Sequence, residues 1–170
     1  MELIREIGNR QELKYKKRTA VMTILQNEKD EIAMLYVGKL NYHKLPGGKI
    51  ESDENELEAL RREILEEVGA DIDVISDVGY TMEYRNEFKL MQLSYIYFSK
   101  TNGELKEPKY TLREQRLEFS LNWVSLDDAI NKLEEEIKEG YFGDSGDEKV
   151  ARYIVERDLS ILKRYKEKRR

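Results

Sequence analysis

The sequence has 170 residues, the length of one domain of ordinary size, enough for a real core and too short for two. Charged residues make up 38% of it and apolar residues 39%, with eleven tyrosines and one tryptophan, a mixture that excludes global disorder. The absence of cysteine excludes disulfides and thiolate chemistry, the lone His43 excludes a multi-histidine zinc site, and the net charge of −5 argues against general binding to a nucleic-acid backbone.

In chain order, residues 1 to 17 read as an N-terminal extension. Residues 19 to 25 and 31 to 37 are β-branched or apolar runs, and the polar stretch Gln26 to Asp30 between them predicts a hairpin. A Pro46-Gly47-Gly48 turn follows. From Asp53 to Val68 the period becomes helical. Leu57, Leu60, Ile64 and Val68 share a face, Asp53 and Glu56 have capping-box spacing, and Gly69 suits the position just past the end.

Strand patterns return at 72 to 84, 88 to 98 and 118 to 124; in the last, Phe119, Leu121 and Trp123 alternate, with Trp123 expected in the core. Ser125 and Asp128 predict a capping box for a helix through Leu126, Ile130, Leu133 and Ile137 that ends at Gly140. After the Gly143-Asp144-Ser145-Gly146 loop, a C-terminal helix is expected over 147 to 170. Its basic tail, Lys163 to Arg170, reads as complementing the helix dipole, with an RNA or acidic-lipid contact as the alternative.

No run approaches the roughly 18 apolar residues of a membrane span, and the first residues lack the plan of a signal peptide. A soluble, cytoplasmic protein with no membrane partner is expected. The order of strands, central helix, strands and flanking helices predicts an α/β sandwich with a mixed β-sheet.

The segment Gly48 to Ala70 carries the chemistry. At about 100° per residue its apolar positions cluster on one face, while Glu56, Glu63 and Glu67 form a stripe beside them and Glu66 lies opposite the core. Like charges one turn apart cost roughly 0.2 to 0.5 kcal/mol per pair, and the helix C-terminus disfavours negative charge further. Solvated glutamates would bear this at the surface; a hard divalent cation would neutralise it, since Mg²⁺ takes carboxylate, phosphate and water oxygens.

The spacing favours the cation. Gly48, Glu54, Arg62, Glu63, Ile64, Glu66, Glu67 and Gly69 fall position for position on the Nudix signature GX5EX7REUXEEXGU, where U is a bulky aliphatic residue, with Ala70 as a mild departure at the last U. The chain thus resembles a Nudix hydrolase of the MutT-like kind, and Leu45-Pro46-Gly47 resembles the turn into that box. The resemblance implies an α/β/α sandwich over 1 to 170 and Mg²⁺-dependent, or Mn²⁺-dependent, cleavage of the diphosphate linkage of a nucleoside diphosphate-X.

Carried over residue by residue, it implies Glu63, Glu66, Glu67 and the Gly47 carbonyl as metal ligands, and Glu63 or Glu67 as general base. Arg62 and Glu54 would hold the carboxylates in place, and Gly48 would allow the tight turn. A loop glutamate often assists; Glu114 matches it best and Glu118 second. Lys39, Tyr84 and Phe88 are the candidate substrate contacts, although for Tyr84, Phe88 and Phe119 a core role competes with base stacking. His43 reads as incidental.

The compact length and the LPGGKIE entry resemble nucleoside-triphosphate pyrophosphohydrolases such as 8-oxo-dGTP diphosphatases. Alternatives are a dinucleoside polyphosphate, ADP-ribose or RNA 5′-end hydrolase. The ADP-ribose reading is lowered because no proline stands near Arg85 and Asn86 and the only other one is Pro108. A non-catalytic nucleotide-binding module would be expected to lack box glutamates, and all three are present. The expected partner is a small nucleotide, with the chain a monomer or homodimer.

Overall fold

The computed structural model describes residues 1–140, 142–143 and 146–169. Asp144, Ser145 and Arg170 of the expected loop and tail lie outside the described residues. The sheet has eight strands: β1 (Leu3–Ile7), β2 (Lys16–Gln26), β3 (Ile32–Val37), β4 (Tyr42–Lys44), β5 (Gly47–Lys49), β6 (Asp71–Arg85), β7 (Leu90–Asn102) and β8 (Phe119–Val124). The helices are α1 (Glu56–Glu67), α2 (Leu112–Arg116), α3 (Leu126–Glu139) and α4 (Gly146–Lys168).

The strand order is β1-β6-β7-β2-β3-β4, with β5 on β2 and β8 on β3. β1 runs parallel to β6 and β2 parallel to β7, while the other pairs are antiparallel, so the sheet is mixed as expected. Residues 3 to 7 of the extension thus form an edge strand.

Alternation along β2 builds both layers, since successive strand side chains point to opposite faces. Val21 and Leu25 join Leu60, Ile64 and Val68 under α1. Met22 and Ile24 join Leu133, Val155, Ile161 and Leu162 under α3 and α4. The result is the α/β/α sandwich. Trp123 is only partly buried, at the edge of the α1 layer. Among the described residues, no helix is long and apolar enough to cross a membrane.

The start of α1 differs from the expectation. Asn55, not Asp53, is the N-cap: its side chain accepts from the N–H groups of Leu57 (3.0 Å) and Glu58 (3.1 Å), and Glu58 answers by accepting from Asn55 N (2.8 Å). Residues 51 to 54 are used up in a turn, in which the Glu54 carboxylate accepts from the Glu51 N–H (2.9 Å). The start therefore moves, and Leu57 is 39% exposed rather than core. Removing this cap with Asn55→Ala should cost about 1 kcal/mol, read by chemical denaturation.

At α3, Ser125 accepts from Asp128 N (3.0 Å) as expected, but its hydroxyl also donates to the Asp128 carboxylate, so only half of the box forms. Four cations of the basic tail pair within the chain. Lys163 pairs with Glu134, Lys166 with Asp127, and Arg164 and Lys168 with Glu2. These contacts link α4 to α3 and to Glu2, just before β1.

Candidate active site

Two neighbouring elements converge here: the last two turns of α1 and the Lys44-to-Lys49 turn that returns along β2. Gly47 pairs with Met22 and Gly48 with Val21. Gly47 has φ 137°, and a Cβ there would strike the β2 backbone at Val21 and Met22. A Cβ at Gly48 would run into the Glu63 carboxylate. Only glycine lets the turn lie this close to the helix.

Glu67 is 2% exposed. One carboxylate oxygen accepts from Gly47 N (2.7 Å) and the other from Lys44 Nζ (3.1 Å), while the same ammonium donates to the Gly47 carbonyl (3.3 Å). Burial pushes the Glu67 carboxyl up to about 7, against the pull of Lys44 and the Gly47 N–H toward the ionised form. Burial also raises the Glu63 carboxyl above the ordinary range, opposed by Arg62.

Arg62 is the clamp the sequence led one to expect. Its guanidinium donates to both oxygens of Glu54 (2.9 and 2.5 Å), to Glu63 (2.8 Å) and to the Lys49 carbonyl (3.1 Å), and lies 3.6 Å from Glu66. The two-pronged bond to Arg62 holds Glu54 at about 2. Because that pKa lies below the ordinary 4.5, the pair stabilises the fold above pH 4.5 and stops doing so as pH falls toward 2. Carboxylate NMR should give Glu54 a midpoint near 2, and Arg62→Ala should return it toward 4.5.

Among the described residues, no three Asp, Glu or His side chains converge as a ready-made metal cage. The donors nevertheless suit a hard cation. The Lys44 ammonium already sits against Glu67 and the Gly47 carbonyl, and Mg²⁺ commonly uses only one or two carboxylates besides phosphate and water.

The other expected residues divide. Glu114 lies on α2, where its carboxylate accepts from Thr111 N (2.7 Å) to complete a capping box. The hydroxyl of Tyr110, at the start of that segment, is raised by burial and then by the charges of Glu67 and Glu114. Glu118 pairs instead with Lys39 (3.2 Å), and neither lines the main pocket. Tyr84 is 5% exposed and packs on Tyr15, so it sits in the interior, whereas Phe88 is 40% exposed and lines the pocket. His43 is structural: its Nδ1 lies 2.6 Å from Glu136 and joins β4 to α3.

The pocket beside Gly47 and Gly48 holds about 410 Å³ and is walled by apolar groups such as Leu40, Phe88, Leu117 and Phe119. Five cations, Arg18, Lys44, Arg85, Arg113 and Arg157, stand in its lining beside one carboxylate, Asp147, and all but Arg18 are ion-paired with carboxylates in or beneath that lining. Beneath it lies a buried ionic network. Glu83 accepts from Arg85 (2.7 Å) and Arg157 (3.4 Å), Arg157 donates to Asp158 (2.7 Å), and Asp158 accepts from Leu45 N (2.7 Å) at the entry to the turn.

The sequence reading missed these cations. A signal was present for two of the charges, because Arg157 and Asp158 fall between Ile154 and Ile161 on the apolar face of a helical wheel, where charge is placed only when paired.

The sequence pattern of the NUDIX domain matches residues 16–143. Similar solved structures include a MutT protein from Methanosarcina mazei, 21% identical over 70% of this chain and 84% of its own, with a TM-score of 0.55. A NUDIX hydrolase from Nitrosomonas europaea is 18% identical over 69% of this chain and 78% of its own, with a TM-score of 0.57. No curated protein matches the chain. With the domain pattern spanning most of the sequence and the box folded into a helix clamped against its glycine turn, the chain belongs to the Nudix hydrolase family, enzymes that act on phosphoanhydride bonds.

Proposed function

We propose that the chain hydrolyses the diphosphate linkage of a nucleoside triphosphate, releasing the nucleoside monophosphate and pyrophosphate, with 8-oxo-dGTP as the first substrate to test. The observation that carries this reading is the adjacency of the box carboxylates to a pocket lined by arginine and lysine side chains, both reached from the Gly47-Gly48 turn. Glu63, Glu66, Glu67 and the Gly47 carbonyl would hold Mg²⁺, or Mn²⁺ in its place. The metal supplies charge neutralisation on the phosphates and a more acidic water.

The chain's own residues do the rest. Arg62 holds Glu63 and Glu66 in position through its anchor on Glu54. Glu63 or Glu67 accepts the proton of the attacking water. The water oxygen bonds to phosphorus, the bridging P–O bond breaks, and its electron pair leaves with pyrophosphate. Lys44, at the junction of helix and pocket, faces the charge that develops on the phosphates.

The test is a panel of canonical and oxidised nucleoside triphosphates, dinucleoside polyphosphates, ADP-ribose and nucleotide sugars, each assayed with Mg²⁺ and with chelator. Triphosphate cleavage abolished by chelator is expected. Turnover that survives chelator sinks the metal-dependent reading, and preference for ADP-ribose sinks the substrate.

A further inference from the structure

Of the five cations that line the pocket, four have a carboxylate partner. Arg85 and Arg157 are held by Glu83 and Asp158, Arg113 by Asp147 (2.7 Å), and Lys44 by Glu67. Arg18 has no acidic partner among the described residues. Its side chain is exposed at the pocket wall, where partial desolvation, then the charges of Arg85, Arg157 and Arg113, lower its pKa against the pull of Glu83. A guanidinium keeps its proton under such conditions, so the pocket wall offers one solvent-facing positive charge with no carboxylate bonded to it among the described residues, free to meet an anion.

Sheet register fixes where that charge points. Arg18 pairs with Gln92, which pairs with Glu83, so the three form one row across β2, β7 and β6 on the face covered by α4. The amide of Gln92 already donates to Glu83 and Ser94, which leaves the end of that row to Arg18. Along β2, Arg18, Ala20 and Met22 all face the pocket. Ala20 and Met22 pair with Lys49 and Gly47 of the box turn, so Arg18 lies two residues, about 7 Å, beyond the end of that turn.

We infer that Arg18 is the binding group for an oxyanion of the substrate that lies beyond the diphosphate being cleaved, the terminal phosphate of a nucleoside triphosphate. The inference rests on the reaction proposed above and narrows its substrate: the X group carries its own negative charge. Neutral X groups, such as a sugar, gain nothing from Arg18 and bind more weakly than charged ones.

Two measurements test this. In chelator, calorimetric titration of the full chain with inorganic pyrophosphate reads the anion site without catalysis. Binding should weaken about 10- to 100-fold in Arg18→Gln, the scale of a lost charge-assisted pair, and be partly kept in Arg18→Lys. With Mg²⁺, the ratio of kcat/KM for a nucleoside triphosphate to that for a nucleotide sugar should fall by a similar factor in Arg18→Gln, through KM. Unchanged pyrophosphate binding, or equal losses on both substrates, overturns the role of Arg18. If the wild-type chain cleaves none of the substrates, the reaction reading fails, while the titration still decides whether Arg18 holds an oxyanion. Unfolding midpoints of the variants confirm that each is folded.

Discussion

Glu67→Gln is expected to lower kcat by about a thousandfold or more, the scale seen when a central charge-stabilising group is removed. Glutamine keeps the size of the side chain and an oxygen to accept from the Gly47 N–H, a 2.7 Å contact in the native chain, so the turn should stay in place. What disappears is the negative charge. Lys44 loses its counter-charge but borders the pocket, where water can solvate it, and the cost of ionising a carboxylate that is 2% exposed disappears too. These terms oppose one another, so stability should change far less than rate. The measurement is kcat with Mg²⁺ beside the unfolding midpoint in chelator. A variant that keeps near-full rate would remove Glu67 from the centre of the mechanism.

Arg157→Met should have the largest effect on stability. Arg157 is 3% exposed and is bonded to two carboxylates, Glu83 and Asp158, that are themselves fully buried. Methionine fills much of the space and supplies no charge. Arg85 still compensates Glu83 (2.7 Å), but among the described residues Asp158 keeps only its bond from Leu45 N. An uncompensated buried charge costs about 3 to 5 kcal/mol, which for a chain of this size lowers the midpoint by about 10 °C. Activity should fall as well, because Asp158 ties α4 to the residue next to Pro46 and so helps to hold the glycine turn against α1. Calorimetry checks the midpoint, and a loss below about 1 kcal/mol would show that the network relaxes without Arg157.

The arrangement of the box side chains on α1 was legible because local spacing encodes it. Arg62, Glu63, Glu66 and Glu67 lie on one short helix, so sequence separation fixes their relative placement within about two turns. The Arg62–Glu54 pair is nearly as local and forms as expected. The helix start was harder, since Asp53 and Asn55 both have the chemistry of a cap, and the turn at 51 to 54 decides between them. Tyr84 and Phe88 have similar aromatic side chains on either side of one bend, yet the first is buried and the second lines the pocket.

By itself the sequence determined the α/β order, the apolar faces of its strands and helices, and the carboxylate cluster with its arginine clamp. Each of these rests on periodicities of about two or 3.6 residues that operate within a single element. The tertiary structure alone decided the pocket. Arg18 comes from β2, Arg85 from β6, Arg113 from α2 and Arg157 from α4, and Lys44 meets Glu67 across 23 residues of chain. Charges on separate elements become one site only after burial of the two apolar layers sets the sheet register. That burial also raises the worth of each ionic contact by removing water from it.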